Sequence, residues 1–195
     1  QVSGMNCEDI QTITASECTE TAAESRKIEW YNYNGSTQFP QYWIHGGAPV
    51  YLRDNNGFLE ADIEHNDGND QWYIIKTGEK CQGEDVFYLQ NVQTMRYVYR
   101  GSQIGNTGGD WEYAEALLSS TNAQTDAYKW IIYTYNNHTA VVNVGGFTGT
   151  NFTNGAYMLH VRNWEAAGLF SNPNIPSPRM VCGKMASQDR SPVFY

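Results

Sequence analysis

The sequence predicts a single all-β domain built from a unit that occurs three times. Aromatic residues are abundant, with 14 Tyr, 6 Trp and 7 Phe in 195 residues, and such side chains pack well on a half-buried pleated sheet. Three times a tryptophan opens a β-type run and two further apolar runs follow it. A unit of this kind cannot bury its apolar face alone and must close against its copies. The runs are 30–31, 50–52 and 57–59, then 72–75, 86–89 and 97–99, then 130–133, 140–142 and 155–159.

Turn signals separate these runs and support the strand assignment. Asn-Gly or Asp-Gly stands at 34–35, 56–57, 67–68 and 154–155, and these pairs supply the positive φ angles that tight hairpins require. Strands at such spacing are typical of a β-barrel or a β-sandwich. We therefore expect residues 28–195 to form the domain, after a polar N-terminal segment at 1–27.

Two further segments bear on the organisation of the chain. Residues 171–178 hold three prolines, which excludes a central strand and predicts a C-terminal arm that runs over the surface. Residues 111–118 are readable either as a short helix or as a strand. No domain boundary follows from either segment.

The middle unit has the most complete form. VFYLQN is followed by RYVYRG, AEALLSS and AYKWIIY, which is a strand ending in Asn, an aromatic strand and later a closing tryptophan strand. This order resembles one repeat of the β-trefoil fold found in ricin-type lectin domains. The resemblance covers about residues 28–161 and implies a β-trefoil-like domain with pseudo-three-fold repeats, the alternative being another β-barrel or a β-sandwich. The chain departs from the family's Gln-x-Trp signature, since it has Asp70-Gln71-Trp72 and Tyr128-Lys129-Trp130, so the resemblance does not by itself imply sugar binding.

Charge excludes several classes of partner. The formal net charge is −9 and the sequence pI is near 4.8, whereas binding to nucleic-acid phosphates needs clustered Lys and Arg. An anionic membrane surface is disfavoured for the same reason. No apolar stretch approaches the ~20 residues of a membrane span. We expect the partners to be glycans or further copies of the chain.

Four cysteines and no C-x-x-C pair indicate disulfides rather than a zinc site. Three connectivities are possible for Cys7, Cys18, Cys81 and Cys182. We favour Cys7–Cys18 as a local clip and Cys81–Cys182 as a bond that ties the middle of the chain to its C-terminal arm.

Several features together predict a secreted, N-glycosylated protein. N-x-[ST] sequons begin at Asn34, Asn137 and Asn151. The even number of cysteines agrees with an oxidising compartment. An N-terminal Gln1 in place of Met fits a processed product.

The sequence offers no catalytic motif, and we expect a protein without enzymatic activity and without catalytic residues. None of the histidines, at 45, 65, 138 and 160, stands in a recognised hydrolase or metalloprotease setting. The acidic residues near position 65 lie close in sequence, but this does not place two carboxylates across a cleft, as glycoside hydrolysis requires.

Oxygen ligands are densest at residues 62–70, where Asp67, Asn69 and Asp70 surround Gly68. Such a loop could contribute to a calcium site. An ordinary solvated hairpin turn explains the same residues, so no cofactor is expected, with calcium as the alternative.

A glycan site needs aromatic faces beside hydrogen-bonding side chains in a shallow pocket. Each unit carries such a combination at a corresponding hairpin, which allows up to three related sites. A core role for the aromatic residues and a turn role for the Asn residues explain the same pattern. A lectin-like, carbohydrate-binding module is the first expectation; the alternative is a structural or self-assembling extracellular glycoprotein of matrix, mucus or filament. The candidate ligand-binding residues are Asp54 and Asn56, then Asn91, Arg96 and Tyr97, then Asn154 and Tyr157.

Overall fold

The computed structural model describes residues 7–8, 25–30, 50–62, 64–106, 112–135, 138–145, 157–162 and 179–184. These residues form β-strands, with one turn of 3-10 helix at Asp126–Tyr128, and the predicted all-β class is confirmed. The strands are β1 (Cys7–Glu8), β2 (Ser25–Arg26), β3 (Glu29–Trp30), β4 (Val50–Asn55), β5 (Phe58–Asp62), β6 (Trp72–Cys81), β7 (Glu84–Asn91), β8 (Tyr97–Asn106), β9 (Glu112–Ser119), β10 (Trp130–Tyr135), β11 (His138–Asn143), β12 (Tyr157–Arg162) and β13 (Arg179–Lys184).

The strands form one curled antiparallel sheet. Successive pairings run from β7 through β10, β11, β12, β13, β9 and β8, and β8 then pairs with β7 again. A ring of pairings of this kind encloses an interior, as in a barrel. Strands β3, β4 and β5 join the ring through β13, and β6 joins it through β7.

Each of the nine apolar runs read from the sequence overlaps a strand. The segment 111–118 becomes strand β9, because its alternate residues Ala114 and Ala116 enter the core. Strand β13 was not predicted, since the run is short and follows the Pro-rich segment 171–178, which lies outside the described residues. Strands β1 and β2 pair with β6, so parts of the N-terminal segment 1–27 belong to the same sheet.

Two of the repeated tryptophans are core residues that connect successive units. Trp72 and Trp130 are fully buried. The Trp72 indole N–H donates to the Leu52 carbonyl at 2.8 Å, and the Trp130 indole N–H donates to the Val98 carbonyl at 3.0 Å. Each bond joins a tryptophan to the preceding unit and satisfies a donor that would cost about 1–3 kcal/mol if buried without a partner. Trp30 differs from these two tryptophans in its strand pairing, because it stands opposite Val50 of β4.

The predicted disulfide connectivity is wrong. Cys182 is a buried free thiol in β13, and Cys81 at the end of β6 is disulfide-bonded. Since the chain has four cysteines, the partner of Cys81 is Cys7 or Cys18, which also excludes the predicted Cys7–Cys18 clip. The backbone register places Cys7 directly opposite Cys81, at a separation that a disulfide can span.

Candidate functional site

The turn between β4 and β5 is a tight hairpin organised by a buried carboxylate. Asn56 and Gly57 have φ angles of 50° and 93°, as a two-residue type I′ turn requires at both positions. Asp54 is fully buried, and its Oδ1 accepts a hydrogen bond from the Gly57 N–H at 2.7 Å. The carboxylate therefore fixes the turn from beneath.

The turn between β7 and β8 is organised in the same way by an amide. Asn91 is fully buried, and its Oδ1 accepts the backbone N–H groups of Gln93 and Thr94, both at 3.0 Å. Its Nδ2 donates to the Asn69 carbonyl at 2.8 Å. Every strong hydrogen-bonding atom of this side chain is thus used inside the chain.

Asp54 also joins the two turns. Nη1 of Arg96 lies 3.0 Å from Oδ1 and 3.1 Å from Oδ2 of Asp54, and the Thr94 hydroxyl donates to Oδ2 at 2.6 Å. The guanidinium approaches the first turn so closely that a Cβ at Gly57 would lie 3.5 Å from Nη1. Two loops that are 40 residues apart in sequence therefore form one surface. We call Asn56, Gly57, Phe58, Met95 and Arg96 together the two-turn surface.

The two-turn surface carries exposed apolar side chains. Phe58 is 38% exposed and Met95 is 50% exposed. In the described part of the chain these two are the exposed large hydrophobic residues. Phe58 directly follows Gly57, and Met95 directly precedes Arg96, whose side chain is 35% exposed. Asn56, which directly precedes Gly57, is also exposed. An aromatic side chain on the same turn as an amide, with a guanidinium approaching that turn, offers groups for both the apolar face and the hydroxyl groups of a ligand.

A second layer of ion pairs supports the first hairpin. Nε of the buried Arg53 lies 3.0 Å from Oε1 of Glu60, its cross-strand partner, and Nη1 lies 3.0 Å from Oδ2 of Asp67. Burial raises the pKa of Glu60, against the hydrogen bond from Asn55 and the charge of Arg53. Both anions share one cation, so Arg53 fixes the loop of Asp67 to the hairpin.

The pKa of Asp67 moves in the opposite direction. Burial, the largest single influence, raises it. The hydrogen bonds from the Asn69 N–H and from Arg53 lower it, as do the charges of Arg53 and His65, and together they outweigh burial. The pKa of Asp67 therefore lies below its ordinary value. This carboxylate is held ionised beside a cation of the chain itself.

The structure brings together the residues predicted to bind calcium, but their polar atoms contact other residues of the chain. Asp67 pairs with Arg53, and the Asn69 carbonyl accepts from the Asp54 N–H at 3.0 Å as well as from Asn91. Asp70 is buried, with Oδ2 at 3.5 Å from Nζ of Lys27. Within the described ranges no group of three or more His, Cys, Asp or Glu side chains could hold a metal ion. These residues act as loop anchors in this structure.

The third hairpin repeats the arrangement with a different arginine. Asn143 is fully buried, and its Oδ1 accepts the Gly145 N–H at 3.0 Å and Nε of Arg100 at 3.1 Å. Its Nδ2 donates to the Lys129 carbonyl at 3.2 Å. The Arg100 guanidinium lies over the Tyr157 ring, with Cζ 5.2 Å from the ring centroid, and Tyr157 is buried. The Tyr157 ring is therefore covered by the protein and does not face solvent.

The predicted ligand residues thus separate by position. Asn56 and Arg96 lie at the two-turn surface, while Asp54 and Asn91 lie beneath it and position it. Tyr97 is half-buried in β8, opposite Gln90 and Ser119. Tyr157 is buried at the third hairpin, and Asn154 lies outside the described residues, as do the sequon residues Asn34, Asn137 and Asn151.

Sequence reasoning missed several residues that build the site. Arg53, Thr94 and Arg100 carry no local signal for their distant partners. These are Asp67, Asp54 and Asn143, which lie 14 to 43 positions away. Asn143 could have been found, because VVN ends a strand as YLQN does. The sequence around Met95 has no distinctive pattern, so its position at the surface could not have been predicted.

No protein-family model and no curated protein matches the chain in sequence. Among solved structures, the chain is similar to a GlcNAcα1-4Gal-releasing endo-β-galactosidase from Clostridium perfringens. The match has a TM-score of 0.39 and 14% identity, and it covers 82% of this chain and 32% of that one. That protein is an enzyme, and we withdraw the expectation of a protein without enzymatic activity. At this TM-score the likeness carries no argument about the fold or the activity of this chain.

The described residues contain no helix of the length and hydrophobicity that a membrane span requires.

Proposed function

We propose that this chain is a secreted, N-glycosylated carbohydrate-binding protein with a β-trefoil-like domain, and that the two-turn surface is its glycan-binding site. The observation that carries the proposal is the exposed Phe58, which directly follows the glycine that Arg96 approaches, together with the buried carboxylate that holds this arginine in place. Positioned polar groups around an apolar face are the usual composition of a small-ligand site. Preorganisation lowers the entropic cost of binding.

The trefoil-like repeat is supported by equivalent roles at three strand ends. Asp54, Asn91 and Asn143 are each fully buried, and each accepts a backbone N–H two or three residues further on. In two units, a buried tryptophan stands opposite the amide: Trp72 opposite Asn91 and Trp130 opposite Asn143. The support for the repeat thus comes from the buried residues that hold the hairpins.

Secretion is supported by the disulfide at Cys81, because disulfides persist mainly in oxidising compartments. Expression through a eukaryotic secretory pathway should give protein whose mass falls on treatment with peptide-N-glycosidase. The treatment should convert Asn34, Asn137 or Asn151 to Asp. Unchanged mass would remove glycosylation from the proposal.

A glycan array tests the binding site directly. The wild-type chain should bind a defined subset of glycans, and Phe58→Ala should lose about tenfold or more in affinity, as removal of a central aromatic contact does. Lys76→Ala, at an exposed position of β6, is the matched surface control and should bind as the wild type does. Circular dichroism should show that both variants remain folded. An array without signal would overturn the proposal.

Self-association is the second candidate, and the exposure of both Phe58 and Met95 favours it. Exposed apolar patches mark contact surfaces between proteins, and Phe58 and Met95 stand on turns that the ion pair of Asp54 and Arg96 joins. Light scattering over a range of concentrations should then give a mass above 22.1 kDa plus glycans, reduced by Phe58→Ala. A monomer at high concentration would exclude this candidate.

A further inference from the structure

We infer that the ligand of the two-turn surface is a neutral saccharide, not a sialylated, sulfated or uronate-bearing one. The inference rests on the proposed function and names the substrate class of that site. It follows from the way in which each nearby cation is already paired within the chain.

Arg96 is the cation at the surface itself, and its charge is compensated. Its Nη1 contacts both carboxylate oxygens of Asp54, which is fully buried and cannot turn away to solvent. An acidic sugar would therefore have to compete with a carboxylate that is built into the fold. Breaking the pair would leave the charge of the buried Asp54 uncompensated, which is costly.

The same holds for Arg53 and Lys27, which pair with carboxylates between positions 60 and 70. Nε of Arg53 contacts Glu60 and its Nη1 contacts Asp67. Lys27 pairs with Glu64 and lies 3.5 Å from the buried Oδ2 of Asp70. The three cations thus pair with five carboxylates, so the positive charge of each of these cations is compensated.

The wider field acts in the same direction. The chain carries a net charge of −9, so an anionic ligand is repelled at a distance. On contact with the five residues of the two-turn surface it meets a single cation, Arg96, which is already paired. Like charges brought together across an interface reduce affinity and select against the wrong partner. The surface has no feature that would offset this repulsion.

The groups that remain available suit hydroxyl groups. A guanidinium has five N–H donors, and in the described part of the chain the side-chain hydrogen bonds of Arg96 use Nη1 alone. Nε and Nη2 can therefore donate to sugar oxygens, and the exposed Asn56 amide can both donate and accept. The Phe58 ring offers an apolar face for the C–H side of a pyranose ring. None of these contacts needs a charge on the ligand.

Matched glycan pairs test the inference. An array should present each neutral oligosaccharide beside its own sialylated and sulfated derivatives. The strongest neutral ligand and its charged derivatives are then titrated by calorimetry. We expect the charged derivatives, modified at the sugar that is bound, to bind about tenfold or more weakly. Affinity for the neutral ligand should change less than about twofold between 0.05 and about 0.5 M salt, because screening acts only on charges.

The outcomes separate the two levels of the proposal. Preference for acidic glycans, with affinity that falls as salt rises, would overturn the neutral assignment and leave the site in place. Neutral binding that Phe58→Ala does not reduce would overturn both the site and the inference built on it. Absence of binding to every glycan would overturn the proposed function and this inference together.

Discussion

Asp54 and Arg96, 42 positions apart in sequence, form an ion pair in which one guanidinium nitrogen contacts both carboxylate oxygens, at 3.0 and 3.1 Å. Asp54 is fully buried and Arg96 reaches the surface. The pair joins the β4–β5 turn to the β7–β8 turn. The structure of the two-turn surface therefore depends on a residue that no ligand could touch.

Replacement of Asp54 should destabilise the fold and the two-turn surface. Asp54→Ala removes the acceptor of the Gly57 N–H, the Thr94 hydroxyl and Arg96, and we expect a loss of about 2–4 kcal/mol, reduced by the partial exposure of Arg96. Asp54→Asn keeps an acceptor and should cost about half as much. Chemical denaturation measures both values. A loss below about 0.5 kcal/mol for Asp54→Ala would contradict the assigned role.

Asn143 should be as important to its own hairpin as Asp54 is to the first. Asn143→Ala leaves the Gly145 N–H and the Lys129 carbonyl without their side-chain partner, and we expect a loss of about 2–3 kcal/mol. Asn66→Ala, at an exposed position, is the matched control and should change stability by less than about 0.5 kcal/mol. Equal effects of the two substitutions in denaturation curves would argue against the equivalence of the three strand ends.

The contribution of Asp67 should depend on pH. Its folded-state pKa lies below the ordinary 3.8, so the stability from pairing with Arg53 is fully present above that pH. It is lost as the pH falls through the lower folded-state pKa. Asp67→Asn should therefore cost about 0.5–1 kcal/mol near pH 7, a small value because Asp67 is partly exposed. The curves of variant and wild type should converge as the pH falls below the folded-state pKa of Asp67; a constant difference at every pH would disprove the linkage.

The Cys182 thiol should be unreactive in the folded protein. Burial raises its pKa to about 12, and the charge of Arg100 offsets this only in part. Because the thiolate is the nucleophile, iodoacetamide at pH 8 should label Cys182 only after unfolding. Peptide mapping without reduction should find Cys81 cross-linked to Cys7, its register partner. A Cys81–Cys182 peptide would contradict the structure.

Local features of the fold were predictable from the sequence, and distant pairings were not. The apolar runs and the Asn56-Gly57 turn follow from side-chain alternation and from backbone angles, which neighbouring residues determine. The ion pair of Asp54 and Arg96 depends on which turns meet in space, and a propensity carries no such information. The Cys81–Cys182 prediction failed for this reason, since loop length favours a long closure while strand register decides which cysteines face each other.

The most direct test of the account is an NMR titration with the strongest neutral glycan from the array, followed in backbone amide spectra. We expect the shift changes to concentrate at the two-turn surface, with Asn56, Gly57, Phe58, Met95 and Arg96 affected together, because the ion pair of Arg96 with the buried Asp54 couples both turns. Shift changes at Arg100 and Tyr157 with none at the two-turn surface, or no shift changes at all, would contradict it.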